Sequence, residues 1–319
     1  MERHLYLIGN GFDLHHGINS GYTDFRNWLE KTNNDLFYQI NEIYEVSDKD
    51  KWWSDFENRL AMLNAVQLAA HFAYENNPYY LSNHCEFGWD QAAIEVELQL
   101  DRLFSELRGY FHEWIAQLNT PLQDKKIQLD IQDTFFINFN YTKTLENLYG
   151  VSPKKILHIH GCVDSDDNFI LGHGKDYQEI QKMNHVEIPK PTASLSEEEI
   201  SEYYESFFGT QEHEKLALES AIRGILSQKK PVHDIIRKNI EYFESINDVG
   251  IIHVYGLSLS DVDMPYFDYF AKKKRNALWI FSDIQNKNIR RIEWFCKNKN
   301  IKKYKIIDLN DILVTMIDS

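Results

Sequence analysis

Residues 250–307 read GIIHVYGLSLSDVDMPYFDYFAKKKRNALWIFSDIQNKNIRRIEWFCKNKNIKKYKII. Three strand-like runs, Gly250 to Tyr255, Leu278 to Phe281 and Lys303 to Ile307, alternate with helix-patterned segments. One such segment starts near Pro265, one spans Lys287 to Lys299, and a terminal helix is expected after Ile307. Short runs rich in β-branched and aromatic residues fit strands. Strands that alternate with helices are joined by crossovers, which make neighbouring strands parallel and put helices on both faces. The stretch predicts an α/β fold, a Rossmann-like three-layer domain with a mostly parallel sheet.

Upstream, His4-Leu5-Tyr6-Leu7-Ile8 is a buried-strand pattern that stops at Gly9-Asn10-Gly11, read as a tight turn. Thr134 to Phe139, Lys155 to His160 and Asn168 to Leu171 are further strand candidates, with a helical turn at Thr142 to Tyr149. From Tyr22 to about Leu118 the spacing is helical. Trp52 to Glu75 carries Leu60, Leu63 and Leu68; Trp89 to Leu118 carries Ile94, Leu98, Leu103, Leu107, Phe111 and Trp114; Asn77-Pro78 breaks the two apart. Residues 22–130 are therefore expected as a large helical insertion in one α/β domain over 1–319. A second helical, acidic insertion is expected over 175–248, with Ser194-x-x-Glu197 as a capping box.

Among 319 residues, 34 Lys or Arg against 49 Asp or Glu leave a net charge of −15, which repels phosphate backbones and disfavours nucleic acid as a partner. Charge is not even: residues 270–306 hold twelve Lys or Arg but only Asp283 and Glu293 as acids. That stretch reads first as solvated helix faces and second as an anion-attracting sheet edge. Cys85, Cys162 and Cys296 are too far apart for a CxxC pair, and so sparse a set fits a reducing compartment. No apolar run reaches the length of a membrane span, and the first residues lack a signal-peptide layout. A cytoplasmic location, with no membrane partner, is expected.

Four short motifs follow four separate strands. Gly9-Asn10-Gly11-Phe12-Asp13-Leu14, with Gly17 beyond, lets backbone amides approach a pyrophosphate, although a turn without ligand reads alike. Leu14 occupies the place of the third glycine of the dinucleotide fingerprint. Asn138-Phe139-Asn140-Tyr141-Thr142, with Glu146 one turn on, offers amides that orient a ribose hydroxyl or a water, or else caps a helix. His158-Ile159-His160-Gly161 places two imidazoles on one strand face as candidate bases, with His173 in Gly172-His173-Gly174 and the pair His15-His16 as possible neighbours. His-x-His is also a metal-ligand spacing. Tyr255-Gly256-Leu257-Ser258-Leu259-Ser260-Asp261 offers Gly256 and hydroxyls to a ribose or phosphate, while Ser260 or Asp261 equally caps the helix near Pro265. In a parallel sheet the four carboxyl ends share one edge, where ligands bind, so one site explains four motifs better than four coincidences.

Taken with Trp53-x-x-Phe56-Glu57, Thr144-Leu145-Glu146 and Leu171-Gly172-His173-Gly174, these motifs resemble the bacterial AbiH family of phage abortive-infection proteins over nearly the whole chain. That family is in turn similar to sirtuin-like NAD-binding domains. Gly9 to Phe12, Gly17-Ile18 and Asp24-Phe25-Arg26 echo the sirtuin nucleotide turn. Asn140, Tyr141 and Glu146 match an Asn-Tyr-Asp…Glu motif, His160 before Gly161 matches the catalytic histidine, and Gly256, Ser258 and Asp261 match a late Gly-x-Ser-x-x-Asp motif. Thr142 stands where that motif has aspartate, and the zinc cysteines of deacetylating sirtuins are absent. Glu57 is a carboxylate from the helical lobe, or half of a Ser54-x-x-Glu57 capping box.

The resemblance implies an anti-phage effector that hydrolyses NAD at the nicotinamide N-glycosidic bond without a metal. It assigns His160 as general base and Asn140 as orienting group. Gly9, Asn10, Gly11, Phe12 and Asp13 would hold the pyrophosphate; Asp24, Phe25 and Arg26 would cover the nicotinamide; Tyr141, Thr142, Gly161, His173, Gly256, Ser258 and Asp261 would complete the NAD site. Low resting activity, a phage-derived trigger and a homo-oligomer belong to the same expectation. Two rivals stand beside it: a non-catalytic sensor of NAD or ADP-ribose, favoured by Thr142, and a metal-dependent nuclease or phosphoesterase built on His158, His160 and His173.

Overall fold

The computed structural model describes residues 3–76, 88–163, 169–185, 196, 199, 212–246, 248–283 and 288–312. Six strands form one sheet: β1 (Arg3–Ile8), β2 (Thr134–Asn138), β3 (Ile156–His158), β4 (Val249–Tyr255), β5 (Leu278–Ser282) and β6 (Tyr304–Ile307). Their order is β3-β2-β1-β4-β5-β6 and every pair is parallel. β1 is central, so both its faces are buried and its apolar run is nearly continuous.

The helices in chain order are α1 (Asn10–His15), α2 (Tyr22–Thr32), α3 (Asn34–Ile43), α4 (Lys49–Ser54), α5 (Phe56–Arg59), α6 (Ala65–Glu75) and α7 (Gln91–Ala116). They continue with α8 (Thr144–Tyr149), α9 (Tyr177–Met183), α10 (Glu212–Ser227), α11 (Val232–Lys238), α12 (Ile240–Ser245), α13 (Met264–Lys273) and α14 (Ile289–Asn298). The chain divides into two compact units. One comprises residues 1–28, 110–171 and 230–319; the other comprises 29–109 and 172–229.

The first unit contains the whole sheet, covered on both faces. Leu5 and Leu7 of β1 pack with Ile137, Ile252 and Val254 against Phe267, Phe270 and Phe295 from α13 and α14. Tyr6 and Ile8 point the other way and pack with Phe136 against Phe12, Leu145 and Leu148 from α1 and α8. The period-two alternation of β1 thus feeds two cores, which makes the three layers. Phe25 is fully buried here, in ring contact with Trp28, Phe111 and Trp114.

The second unit is helical. Trp53 stacks on Phe56 with ring centroids 5.1 Å apart, and Phe37 stacks beside Trp53. Asn184 Oδ1 accepts from the amide of Ala65 at 2.8 Å, tying the end of α9 to the start of α6.

Several expected elements differ. The segment from Trp52 to Glu75 is not one helix. Asp55 ends α4, Leu63 is extended, and Asn64 caps α6 by accepting from Gln67 N. Short polar side chains at 55 and 64 offer the backbone local bonds that compete with a continuing helix. The Ser54-x-x-Glu57 capping box does not form: Ser54 is the last residue of α4, its Oγ donating to Lys51 O, and the N-cap of α5 is Asp55. On α7 the buried stripe runs through Val96, Leu100, Leu103, Leu107 and Phe111, whereas Ile94 and Leu98 are 43% and 59% exposed. Phe169 to Leu171 is not a strand, and after Ile307 the described residues form a 3₁₀ turn at Leu309–Ile312, the rest of the expected terminal helix lying outside them. Asn168, Pro78 and the pair Ser194/Glu197 lie outside the described residues. No helix among the described residues is long and apolar enough to cross a membrane.

Candidate functional site

The first glycine motif does not form an open turn. α1 begins at Asn10, directly after β1, with Gly9 extended at its N-cap position. The β1–α1 junction lies against the residue that ends β4. Gly9 N donates to Tyr255 O at 2.9 Å, Gly11 N donates to Gly256 O at 2.8 Å, and Phe12 N donates to Gly9 O at 2.9 Å. Gly256 has φ +70° and itself donates to Ser282 Oγ at 2.8 Å. A Cβ on Gly11 would fall 2.8 Å from Gly256 Cα. The glycines therefore let two loops touch at the centre of the sheet rim, and the amides of residues 9, 11 and 12 are engaged within the protein. Asn10 Oδ1 accepts from Ser20 Oγ at 2.5 Å.

A buried carboxylate organises the next layer. Asp13 is 1% exposed; Thr142 Oγ1 donates to its Oδ2 at 2.5 Å and Thr144 Oγ1 to its Oδ1 at 2.7 Å. Asn140 reaches both Asp13 and, at 3.0 Å, Gly9 O. Burial pushes the Asp13 carboxyl up to about 6, against the opposing pull of the Thr142, Thr144 and Asn140 hydrogen bonds. Thr142 does not leave this place without a carboxylate: α1 supplies one, aimed at its hydroxyl.

The network continues along β2 and β3. Asn138 Oδ1 accepts from Asn140 N at 3.0 Å, and Asn138 Nδ2 lies 3.2 Å from Thr142 O and 3.4 Å from His158 Nδ1. His158 Nε2 is 2.8 Å from Glu146 Oε1. Both nitrogens of His158 thus have partners, and a proton-carrying Nε2 suits the carboxylate.

His158 and His160 do not share a face, contrary to the strand reading. β3 stops at His158, and a turn through Gly161, at φ +89°, carries His160 to the opposite side. There the His160 ring meets Phe139 edge-on at 5.5 Å and Tyr266 at 5.8 Å. Its Nε2 is 3.7 Å from Asp263 Oδ1, and Lys230 Nζ is 3.6 Å from the same oxygen. His160 is 2% exposed. Burial first, then the Lys230 charge, draws its imidazole down to about 3, while Asp263 and a hydrogen bond to Phe139 oppose the change. Successive residues of the β2 end therefore serve two faces: Phe139 contacts His160, and Asn140 holds Gly9 and Asp13.

The remaining candidates are accounted for individually. Tyr141 donates to Ile170 O at 3.0 Å and packs against Phe111 and Phe169. Asp24 Oδ2 accepts from Gly21 N at 3.2 Å within the first turn of α2, Phe25 is core, and Arg26 bonds Asn27 Oδ1 at 2.7 Å. Ser258 is exposed. Asp261 pairs with Arg291 Nη2 at 2.5 Å, so it does not cap α13, and neither does Ser260; the N-cap is Asp263, whose side chain makes no capping bond. His16 bonds Phe12 O and Tyr149 Oη through its two nitrogens, and His15 Nε2 lies 3.0 Å from Lys125 O.

In the helical unit, His173 Nε2 bonds Ile225 O at 2.9 Å and its Nδ1 accepts from Lys175 N at 3.1 Å, so both nitrogens are occupied locally. Glu57 lies in the same unit, on α5. Among the described residues no group of three or more His, Cys, Asp or Glu stands close enough to hold a metal. A ligand set of His158, His160 and His173 is not assembled, since the first two face apart and the third is bonded to backbone.

Lys230 and Asp263 were not singled out from the sequence, and Asn138 and Thr144 stood only inside quoted motifs, outside the expected site residues. The period of two from Asn138 to Asn140, and of two again from Thr142 to Thr144, is the signal that one face carries them. Lys230 and Asp263 become visible only once the strand ends are brought together.

The sequence model of the family described as Bacteriophage abortive infection AbiH matches residues 5–283, which include β2 to β5 and all of β1 from Leu5 onward. Neither a curated protein nor a solved structure matches the chain.

Proposed function

The chain belongs to the AbiH family of bacteriophage abortive-infection proteins, and from that premise we propose that it acts by cleaving NAD between nicotinamide and ribose. Family membership carries the abortive-infection role; the cleavage is our reading. The observation that supports it most is the strand order β3-β2-β1-β4-β5-β6, the order of doubly wound sheets that bind dinucleotides at the crevice where the chain reverses direction. In this protein that reversal lies between β1 and β4, where Gly11 and Gly256 meet. The likeness to sirtuin-type NAD domains belongs to this reading.

In the proposed reaction the bond from the ribose C1′ to the nicotinamide nitrogen breaks and the electron pair leaves with neutral nicotinamide. Water adds to the resulting oxocarbenium carbon and loses a proton, which the neutral His160 imidazole accepts at Nε2. Asn140 fixes the β1–α1 junction against β2 through Gly9 O and Asp13. Such a rim borders both sheet faces, so groups on either side of β2 can reach a ligand above the strand ends.

The test is purified full-length protein incubated with NAD, with and without extract of phage-infected cells, followed by chromatography for nicotinamide. Release is expected, and His160→Ala should abolish it while changing NAD affinity less than about tenfold, or about 1.4 kcal/mol. NAD bound intact under both conditions would instead favour the second reading, a nucleotide sensor. One observation favours that alternative: His160 is 2% exposed and its Nε2 is shielded from solvent, which suits a binding role better than proton exchange with water.

A further inference from the structure

His160, Asp263 and Lys230 form a buried group whose charges and hydrogen bonds do not close among themselves. The His160 Nε2 and Asp263 Oδ1 atoms are both shielded from solvent and without a hydrogen-bond partner. The hydrogen bond of this imidazole to the Phe139 backbone therefore uses Nδ1. A carbonyl only accepts, so Nδ1 carries the hydrogen and a neutral ring presents a bare lone pair at Nε2. That lone pair faces Asp263 Oδ1 across 3.7 Å, acceptor against acceptor. Lys230, 3% exposed, brings the compensating charge to the same oxygen at 3.6 Å. Ser260 Oγ steadies the other oxygen at 3.3 Å, and Asp263 stands at the N-terminus of α13, where a negative charge is favoured.

We propose that Asp263 and Lys230 are positioning residues for His160, which keep Nε2 bare at rest and stabilise the imidazolium formed when Nε2 takes a proton. With Lys230 charged and Asp263 ionised the group is neutral only while His160 is neutral. When a water or a ligand hydroxyl gives its proton to Nε2, the O–H bond breaks, an N–H bond forms, and the new cation lies beside a carboxylate already in place. A buried lysine without that carboxylate would be strongly disfavoured, and so would a buried carboxylate without the lysine. Among the described residues, the titratable groups around the imidazole are Lys230, Asp263 and the Tyr266 phenol. The role rests on the reading of His160 as the base but is measurable without turnover.

The experiment is nuclear magnetic resonance of full-length protein with isotope-labelled histidine, following the His160 ring nitrogens from pH 4 to 8. In the native chain the ring should be the Nδ1–H tautomer and remain neutral throughout. Lys230→Met should leave Asp263 with His160 as its nearest cation and raise the His160 midpoint by more than about one pH unit. Lys230→Arg should restore the native behaviour. The same lysine variant should move the acid limb of any NAD turnover upward in pH. An Nε2–H tautomer in the native chain would overturn the proposal, even if no variant folds. So would a midpoint unmoved in folded Lys230→Met. The predicted tautomer and shift without nicotinamide release would sink NAD cleavage alone; release with neither would sink the positioning role alone.

Discussion

A methyl group at residue 256 would begin 2.1 Å from the amide nitrogen of Phe12, and the backbone there has φ +70°. Gly150 has nearly the same φ, +65°, but no atom lies within 4 Å of its virtual Cβ. The two positions thus share conformational strain and differ in packing. Gly150→Ala should cost about 1 kcal/mol, the price of a left-handed alanine. Gly256→Ala should cost more than about 3 kcal/mol, because backbone must move as well. Urea denaturation of both variants reads the difference directly, and equal losses would mean that the contact between the two loops is not tight. Asp13 makes a second case at this scale. Asp13→Ala removes the acceptor of two buried hydroxyls and of Asn140, and a loss of about 2–4 kcal/mol is expected in the same assay. The glycines were legible as glycines with a purpose, but their partner was not. Sequence pointed to an anion beside these amides; that Gly256 also approaches Gly11 was not readable in it.

Strands were read more faithfully than helices, and the reason is solvent. The two central strands end at an abrupt change from apolar residues to glycine, at Ile8-Gly9 and Tyr255-Gly256. Parallel order followed from the alternation alone. Helix phase is harder to read because apolar residues occur on more than one face of α7. Ile94 and Leu98 fit the spacing as well as Val96 and Leu100, yet only the latter pair is buried. The end of β3 was equally hidden: a strand continued by two residues would keep His158 and His160 together, and the turn at Gly161 parts them. One helix position offers a clean test. Gly109 lies within α7, exposed, with nothing near its virtual Cβ. Gly109→Ala should stabilise the protein by about 0.5–1 kcal/mol, seen as a raised denaturation midpoint.

Across the molecule, several titratable groups are held in their neutral forms. Burial lowers His16 to about 4, and His160 and His253 to about 3, each from 6.5. A depressed histidine contributes stability that is complete above pH 6.5 and disappears as pH falls towards the folded value, because the unfolded chain binds the proton first. Asp13 works in the opposite sense. Its folded value, about 6, exceeds the unfolded 3.8, so it favours the fold increasingly as pH drops through that window. Burial lowers His15 and His173 as well, so five histidines against one carboxyl predict net loss as pH falls from 6.5 towards 4. The urea midpoint should fall across that range, and His253→Phe should flatten the slope. A midpoint that rises on acidification would refute the balance. A different consequence follows from the pairing of β1 with β4, whose registered residues run from Arg3↔Val249 to Ile8↔Tyr255. On the ribosome, the first strand emerges long before its neighbour is made, whereas both segments of the helical unit have been translated by residue 229. Contacts so distant along the chain form slowly. The glycine-lined junction between β1 and β4 cannot exist in a nascent chain shorter than about residue 256, so any effector activity that needs it is withheld until that residue has been made.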